Sequence, residues 1–263
     1  MRVRPPAVAG TFYPADPGAL RSAVESALAG AASRVPAGPV PKAVIAPHAG
    51  YVYSAPVAAS AYARVVEGRG RISRVVLVGP AHRVYVDGVA ASGADAFATP
   101  LGPVEVDVAA REALVEAGLV VVRDDVHAPE HSLEVHLPFL QIGLGDVAVL
   151  PLAVGDVDPD RVADVLDAAW GGEETLVVVS TDLSHYLDHA AAREVDRRTA
   201  ASIVARRPER LRRDDACGVT GVQGLLAAAS RHGLSVDLLD LRTSADTAGD
   251  PDRVVGYGAF VLG

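Results

Sequence analysis

The chain has 263 residues, a length that suits one α/β domain. Half of the residues are hydrophobic but only 5% are aromatic, so a core must be filled chiefly by Val, Leu, Ala and Ile. The net charge of −9 gives no basic footprint for nucleic acid, no Lys/Arg cluster suggests an anionic membrane surface, and no run reaches the ~20 apolar residues of a membrane helix.

The first residues, Met1 to Pro6, lead into no long apolar run, which argues against a secretory signal. A helical pattern covers residues 17–29 behind Asp16 as a cap, and residues 31–41 read as a loop. The run 43–46 reads as a strand and 54–66 as a helix. Strand 75–78 follows, with a further strand candidate at 86–90 and helices at 107–117 and 132–141, the latter with Ser132 as a candidate cap. Strand 147–150, helix 158–170, strand 176–179, and helices 189–205 and 220–232 complete the alternation. Residues 243–252 read as a polar turn before a last strand candidate at 253–260. The strongest runs are short, rich in Val and apolar at every position, which suits a sheet covered on both faces. The expected fold is α/β: a central, mostly parallel β-sheet flanked by helices on both faces, in a single domain spanning 1–263. A single cysteine, Cys217, excludes an intrachain disulfide and fits a cytoplasmic setting.

Ligands of open α/β sheets collect beyond the carboxyl ends of the strands. The runs at 43–46, 75–78 and 176–179 are followed by His48, by His82 and by Asp182 and His185. If the strands are parallel, three histidines reach one sheet edge. Imidazole is the commonest protein ligand for first-row metals. Two histidines with one anionic donor leave open positions for small molecules. Cys217, just before a helix, is a candidate thiolate, because a helix N-terminus lowers a thiol pKa. Each residue also fits a plainer role: a loop histidine held by hydrogen bonds, or a small buried cysteine. The residues alone leave both open.

The stretch from Glu130 to His136 is rich in metal-capable groups, but His131 and His136 are five apart, about 140° round a helix, and cannot both chelate one ion from a regular helix. Glu134 and His136 are read as supporting groups. Ser180, Asp182 and His185 crowd one loop, unlike a hydrolase triad, whose members come from distant segments. Walker, dinucleotide-binding and nucleophile-elbow motifs are absent.

Several motifs together resemble the Memo family. They are Pro6 to Pro14 (PAVAGTFYP), Ala46 to Ser54 (APHAGYVYS), Gly79 to His82 (GPAH), Thr99 to Gly102 (TPLG), Glu130 to Phe139 (EHSLEVHLPF), Ser180 to Tyr186 (STDLSHY) and Val254 to Tyr257 (VVGY), in the family's order along nearly the whole chain. Bacterial members are also named protein B of the AmmeMemoRadiSam system. The resemblance implies a fold like that of class III extradiol dioxygenases, which hold non-haem Fe(II) on two His and one Glu. On that likeness His48 and His82 are metal ligands, Cys217 replaces the Glu, and His185 is the acid/base with Asp182 beside it. Glu134, His136 and Tyr53 then line or support the pocket.

The reading that follows is a metal-dependent redox enzyme, with Fe(II) first and Cu or Zn admitted by the soft thiolate. The alternative is a non-catalytic adaptor that binds a peptide or small molecule in the same pocket. The system name further implies radical SAM and AMMECR-type protein partners.

Overall fold

In the computed structural model, which describes all of residues 1–263, the four apolar runs lie side by side. They form strands β2 (Ala43–Ala46), β9 (Thr175–Ser180), β3 (Arg74–Pro80) and β8 (Ala148–Val154), hydrogen-bonded in that order and mutually parallel. Successive side chains point to opposite faces of a strand, and here they enter two separate cores. Val44, Leu77 and Val178 pack with Leu20, Tyr62 and Phe139 of helices α1 (Pro17–Ala32), α2 (Tyr51–Val65) and α5 (Leu137–Gly143). Ile45, Val76 and Val179 pack with Leu166, Ile203 and Leu225 of helices α6 (Pro159–Ala168), α7 (His189–Val204) and α8 (Val219–Arg231). Helices therefore cover both faces, which is why these strands are apolar at every position.

The sheet is mixed, which corrects the expectation of a mostly parallel one. Strand β12 (Val254–Leu262) runs antiparallel to β2, to β11 (Val236–Thr243) and to β10 (His185–Leu187). At the other side β4 (Val89–Ala91) is antiparallel to β8 and carries β7 (Val121–Val122) in parallel. The reason lies in the connections. A helix crossover returns the chain in the same direction, whereas the short polar link between β11 and β12 reverses it. β11 escaped the sequence reading because Asp237, Asp240 and Arg242 break its apolar pattern. A small second sheet joins β1 (Val3–Arg4), β5 (Ala96–Thr99) and β6 (Gly102–Glu105).

Asp16 caps α1 as expected, its carboxylate accepting from the Ala19 amide at 2.8 Å. The expected helix 132–141 differs. A single 3-10 turn at Glu134–His136 precedes α5, and Ser132 caps nothing; its hydroxyl donates to the Pro80 carbonyl at 2.8 Å. Pro138 sits in the first turn of α5, where its missing N–H costs no hydrogen bond. No helix is long and apolar enough to cross a membrane.

Candidate metal centre

Strands β2 and β3 are separated only by β9, so the residues after their carboxyl ends emerge at one sheet edge. His48 lies two residues past β2 and His82 two past β3, and their ring centroids are 5.1 Å apart. A third imidazole joins them. His131 arrives from the segment between α4 (Asp124–His127) and α5, with centroids 5.5 Å from His48 and 4.9 Å from His82. One ligand-capable nitrogen from each of the three lies within 4.8 Å of the others, a group that could hold a metal ion. Cys217 Sγ stands 3.4 Å from His48 Nε2. His48 is buried, His131 and Cys217 are half-buried, and His82 is exposed.

The loop after β9 seats the cysteine. The Asp182 amide donates to Cys217 Sγ at 3.3 Å, and the Cys217 amide donates to the Asp182 carbonyl at 3.2 Å. The Gly218 amide donates to Thr181 Oγ1 at 2.8 Å. A Cβ on Gly218 would fall 2.5 Å from the Ser180 carbonyl oxygen, so only glycine lets the two loops close this far. Burial, with the Asp182 carboxylate adding to it, pushes the Cys217 thiol up to about 12. That corrects the expected helix effect. α8 begins beyond Gly218, and loss of hydration outweighs its terminus.

Two different supports stand behind the two strand-end histidines. Glu130 accepts four N–H groups: the His82 amide at 2.5 Å, His82 Nδ1 at 3.0 Å, and the His131 and Ser132 amides at 2.9 Å each. Burial works to raise its pKa, but these bonds and the two imidazoles pull the carboxyl far below its usual range. A carboxylate can only accept, so His82 carries a proton on Nδ1, which in the neutral imidazole leaves Nε2 bare, as in metal-ligating histidines. Behind His48 stands a hydroxyl instead: His48 Nδ1 lies 2.6 Å from Ser180 Oγ.

The remaining predicted residues spread out. Asp182 is buried and accepts the His48 amide at 2.8 Å; burial raises its pKa. His185 opens β10, half-buried and edge-on to Tyr186 at 5.6 Å, near enough to favour the ionised forms of Asp182 and Asp196. Ser180 bonds to His48, His136 and Ser132 and not to His185, so no triad forms. His136 Nε2 meets Ser180 Oγ at 2.9 Å. Tyr53 is exposed on the first turn of α2. Glu134 reaches the N-terminal segment: it pairs with Arg4 and accepts the Ala7 amide at 2.7 Å, the Val8 amide at 3.0 Å and the Tyr13 hydroxyl at 2.5 Å. That segment carries Phe12, whose ring lies 4.6 Å from His131.

Sequence reasoning missed Glu130 and His131 as site residues and Ser180 as a support. The signal was present in the five-residue gap between His131 and His136: the two do diverge, one into the cluster and one behind it. The cluster opens into a cleft of about 350 Å³ lined by His82, Tyr85, Asp156, Arg213 and Cys217.

The family described as Memo-like protein matches residues 4–261. A MEMO1 family protein of Methanothermobacter thermautotrophicus is 36% identical over 97% of this chain and 98% of its own length. One from Methanopyrus kandleri is 38% identical over 98% of each chain, and one from Aquifex aeolicus 34% over the whole of both. Among solved structures, the crystal structure described as uncharacterized protein JW3007 from Escherichia coli K12 superposes with a TM-score of 0.55. That likeness, at 12% identity over 83% of this chain and 98% of the other, is one of fold.

Proposed function

The chain belongs to the Memo-like protein family, and from that premise we propose that it is a mononuclear metalloprotein of redox type. His48, His82 and Cys217 would hold the ion, with His131 beside them. One observation supports this above the rest: three imidazoles remote in sequence gather their nitrogens within 4.8 Å, with a sulfur 3.4 Å from one of them. The donor set fits a divalent transition metal. Three neutral imidazoles alone would leave the ion's charge uncompensated, and the Cys217 thiolate supplies the anion. Two histidines plus one anion favour Fe(II), while the thiolate also admits Cu or Zn. When bound, such an ion supplies Lewis acidity and, for Fe or Cu, electron transfer to a small molecule.

The chain's own residues supply the rest. The cleft beside His82 and Cys217 admits the substrate, a small molecule, and Tyr85 and Arg213 stand at its lining. His185 would take up or return the substrate's proton, the acid/base role that the resemblance to the dioxygenases implies. Asp182 holds the His48 backbone through its amide and so fixes where the imidazole enters.

Metal analysis of the purified protein, and of apoprotein loaded with Fe(II), Cu or Zn, tests the proposal. About one ion per chain is expected, lost in Cys217→Ala. Metal content unchanged in Cys217→Ala, or no binding of any of the three, overturns it. A second reading, a binding module without catalysis, draws on an apolar groove of about 490 Å³ lined by Phe12, Tyr13, Ala27 and Val52, next to His131 through Phe12. Oxygen consumption by the Fe(II)-loaded protein with catechols and thiols separates the two. Uptake supports the enzyme; silence together with peptide binding supports the module.

A further inference from the structure

Ser180 Oγ has three polar neighbours: the Ser132 carbonyl oxygen at 2.6 Å, His48 Nδ1 at 2.6 Å and His136 Nε2 at 2.9 Å. A hydroxyl has one proton and two lone pairs. A carbonyl can only accept, so the Ser180 proton goes to Ser132. Both lone pairs must then accept, and both imidazole nitrogens must carry hydrogen. His136, protonated on Nε2, is buried and neutral, since burial lowers its pKa to about 3. Its Nδ1 is therefore bare and accepts from the Tyr62 hydroxyl, 2.9 Å away. With both imidazoles neutral, only one arrangement of protons gives every donor in the chain an acceptor. For His48 that arrangement puts hydrogen on Nδ1 and leaves Nε2 bare, facing Cys217 Sγ.

We infer that the Ser132 carbonyl and the Ser180 hydroxyl form a tautomer lock that presents the bare Nε2 of His48 to the metal cluster, with His136 and Tyr62 completing the hydrogen-bond chain around Ser180. Ser180 is thus a positioning residue that acts through His48. The strand order creates the lock: Ser180 ends β9 and pairs in register with Ala46, two residues before His48. The lock is neutral throughout, which matches a fully buried position where an unpaired charge would be costly. It sets a buried ligand before any metal arrives and so reduces the reorganisation on binding.

The inference deepens the proposed metal reading, so its first test uses no metal. Long-range proton–nitrogen NMR of the metal-free protein reports the tautomer, with His48 assigned by the loss of its signals in His48→Ala. The expected state is Nδ1–H with bare Nε2. It should persist in Tyr62→Phe and in His136→Leu, which leave Ser180 able to accept from His48. It should become a mixture in Ser180→Ala. Titration with Zn²⁺ should show affinity lowered about 10- to 100-fold in Ser180→Ala, the usual cost of losing a ligand's outer partner. Tyr62→Phe should stay within about threefold of wild type, because it leaves that partner in place. Hydrogen on Nε2 in the wild-type protein overturns the lock, and so does an unchanged tautomer in Ser180→Ala. If Ser180→Ala fails to fold, the wild-type spectrum still decides. Failure of Zn²⁺, Fe(II) and Cu alike to bind a correctly locked protein would sink the metal reading and leave the lock standing.

Discussion

The two strand-end histidines sit side by side, yet their surroundings are chemically opposite. His48 is buried, and its ring is backed by neutral groups, Ser180, His136 and Tyr62. His82 is exposed and backed by an ionised carboxylate, Glu130, which gathers four N–H groups. Either support yields the same tautomer. Glu130 and Ser180 are both buried, so the donors at hand decide which support is tolerable: the carboxylate is met by four N–H groups, whereas a hydroxyl needs only one acceptor and two donors. The ionic side extends to Glu134, four residues on, whose buried pair with Arg4 ties down the segment that carries Phe12.

The sharpest break should come on the ionic side. Glu134→Ala leaves Arg4 buried without its counter-charge, so unfolding free energy should fall by about 3–5 kcal/mol, read by urea denaturation. A loss below about 1 kcal/mol would mean that water, and not Glu134, satisfies Arg4. Glu130→Gln should keep the fold and weaken metal binding by roughly 10- to 100-fold, because His82 loses the anion that raises its ligand basicity. Isothermal titration with Zn²⁺ measures it.

Acid separates the two sides by pH. His136 is held neutral, its pKa lowered by burial from 6.5 to about 3, so the unfolded chain binds the proton more readily. Its contribution is present above pH 6.5 and is lost as pH falls from 6.5 toward 3, at up to about 1.4 kcal/mol per unit. Glu130, also lowered, contributes above its ordinary 4.5 and loses that contribution only below it. Stability should therefore begin to decline below pH 6.5, and the slope between 6.5 and 4.5 should flatten in His136→Leu. A flat wild-type profile there would contradict the neutral side. Metal binding should follow the opposite sense from a preformed thiolate. With the Cys217 thiol pushed up to about 12, the ion must displace a proton, and affinity should rise about tenfold per pH unit near neutrality. A pH-independent affinity would indicate that sulfur is not a ligand.

Much of this was legible residue by residue. The runs at 43–46, 75–78, 147–150 and 176–179 are short and apolar at every position, which suits a doubly covered sheet, and they lie in one. His48 and His82 were legible as strand-end groups. His131 was not, because its neighbours fold as a turn and a 3-10 helix, which carries no periodic signal. Ser180 was visible only as a member of an unconvincing triad.

Sequence by itself determined which segments are buried, where α1 starts and which family motifs the chain carries, because apolar patterning, side-chain caps and motif spelling are local properties. Tertiary structure alone decided the strand directions at the sheet's edges, the entry of His131, and the proton positions on His48 and His82. Each of these depends on a partner more than 40 residues away along the chain: Val44 against Val261, His82 against Glu130, and His48 against Ser180. A hydrogen bond is a relation between two groups in space, and no single stretch of chain contains both.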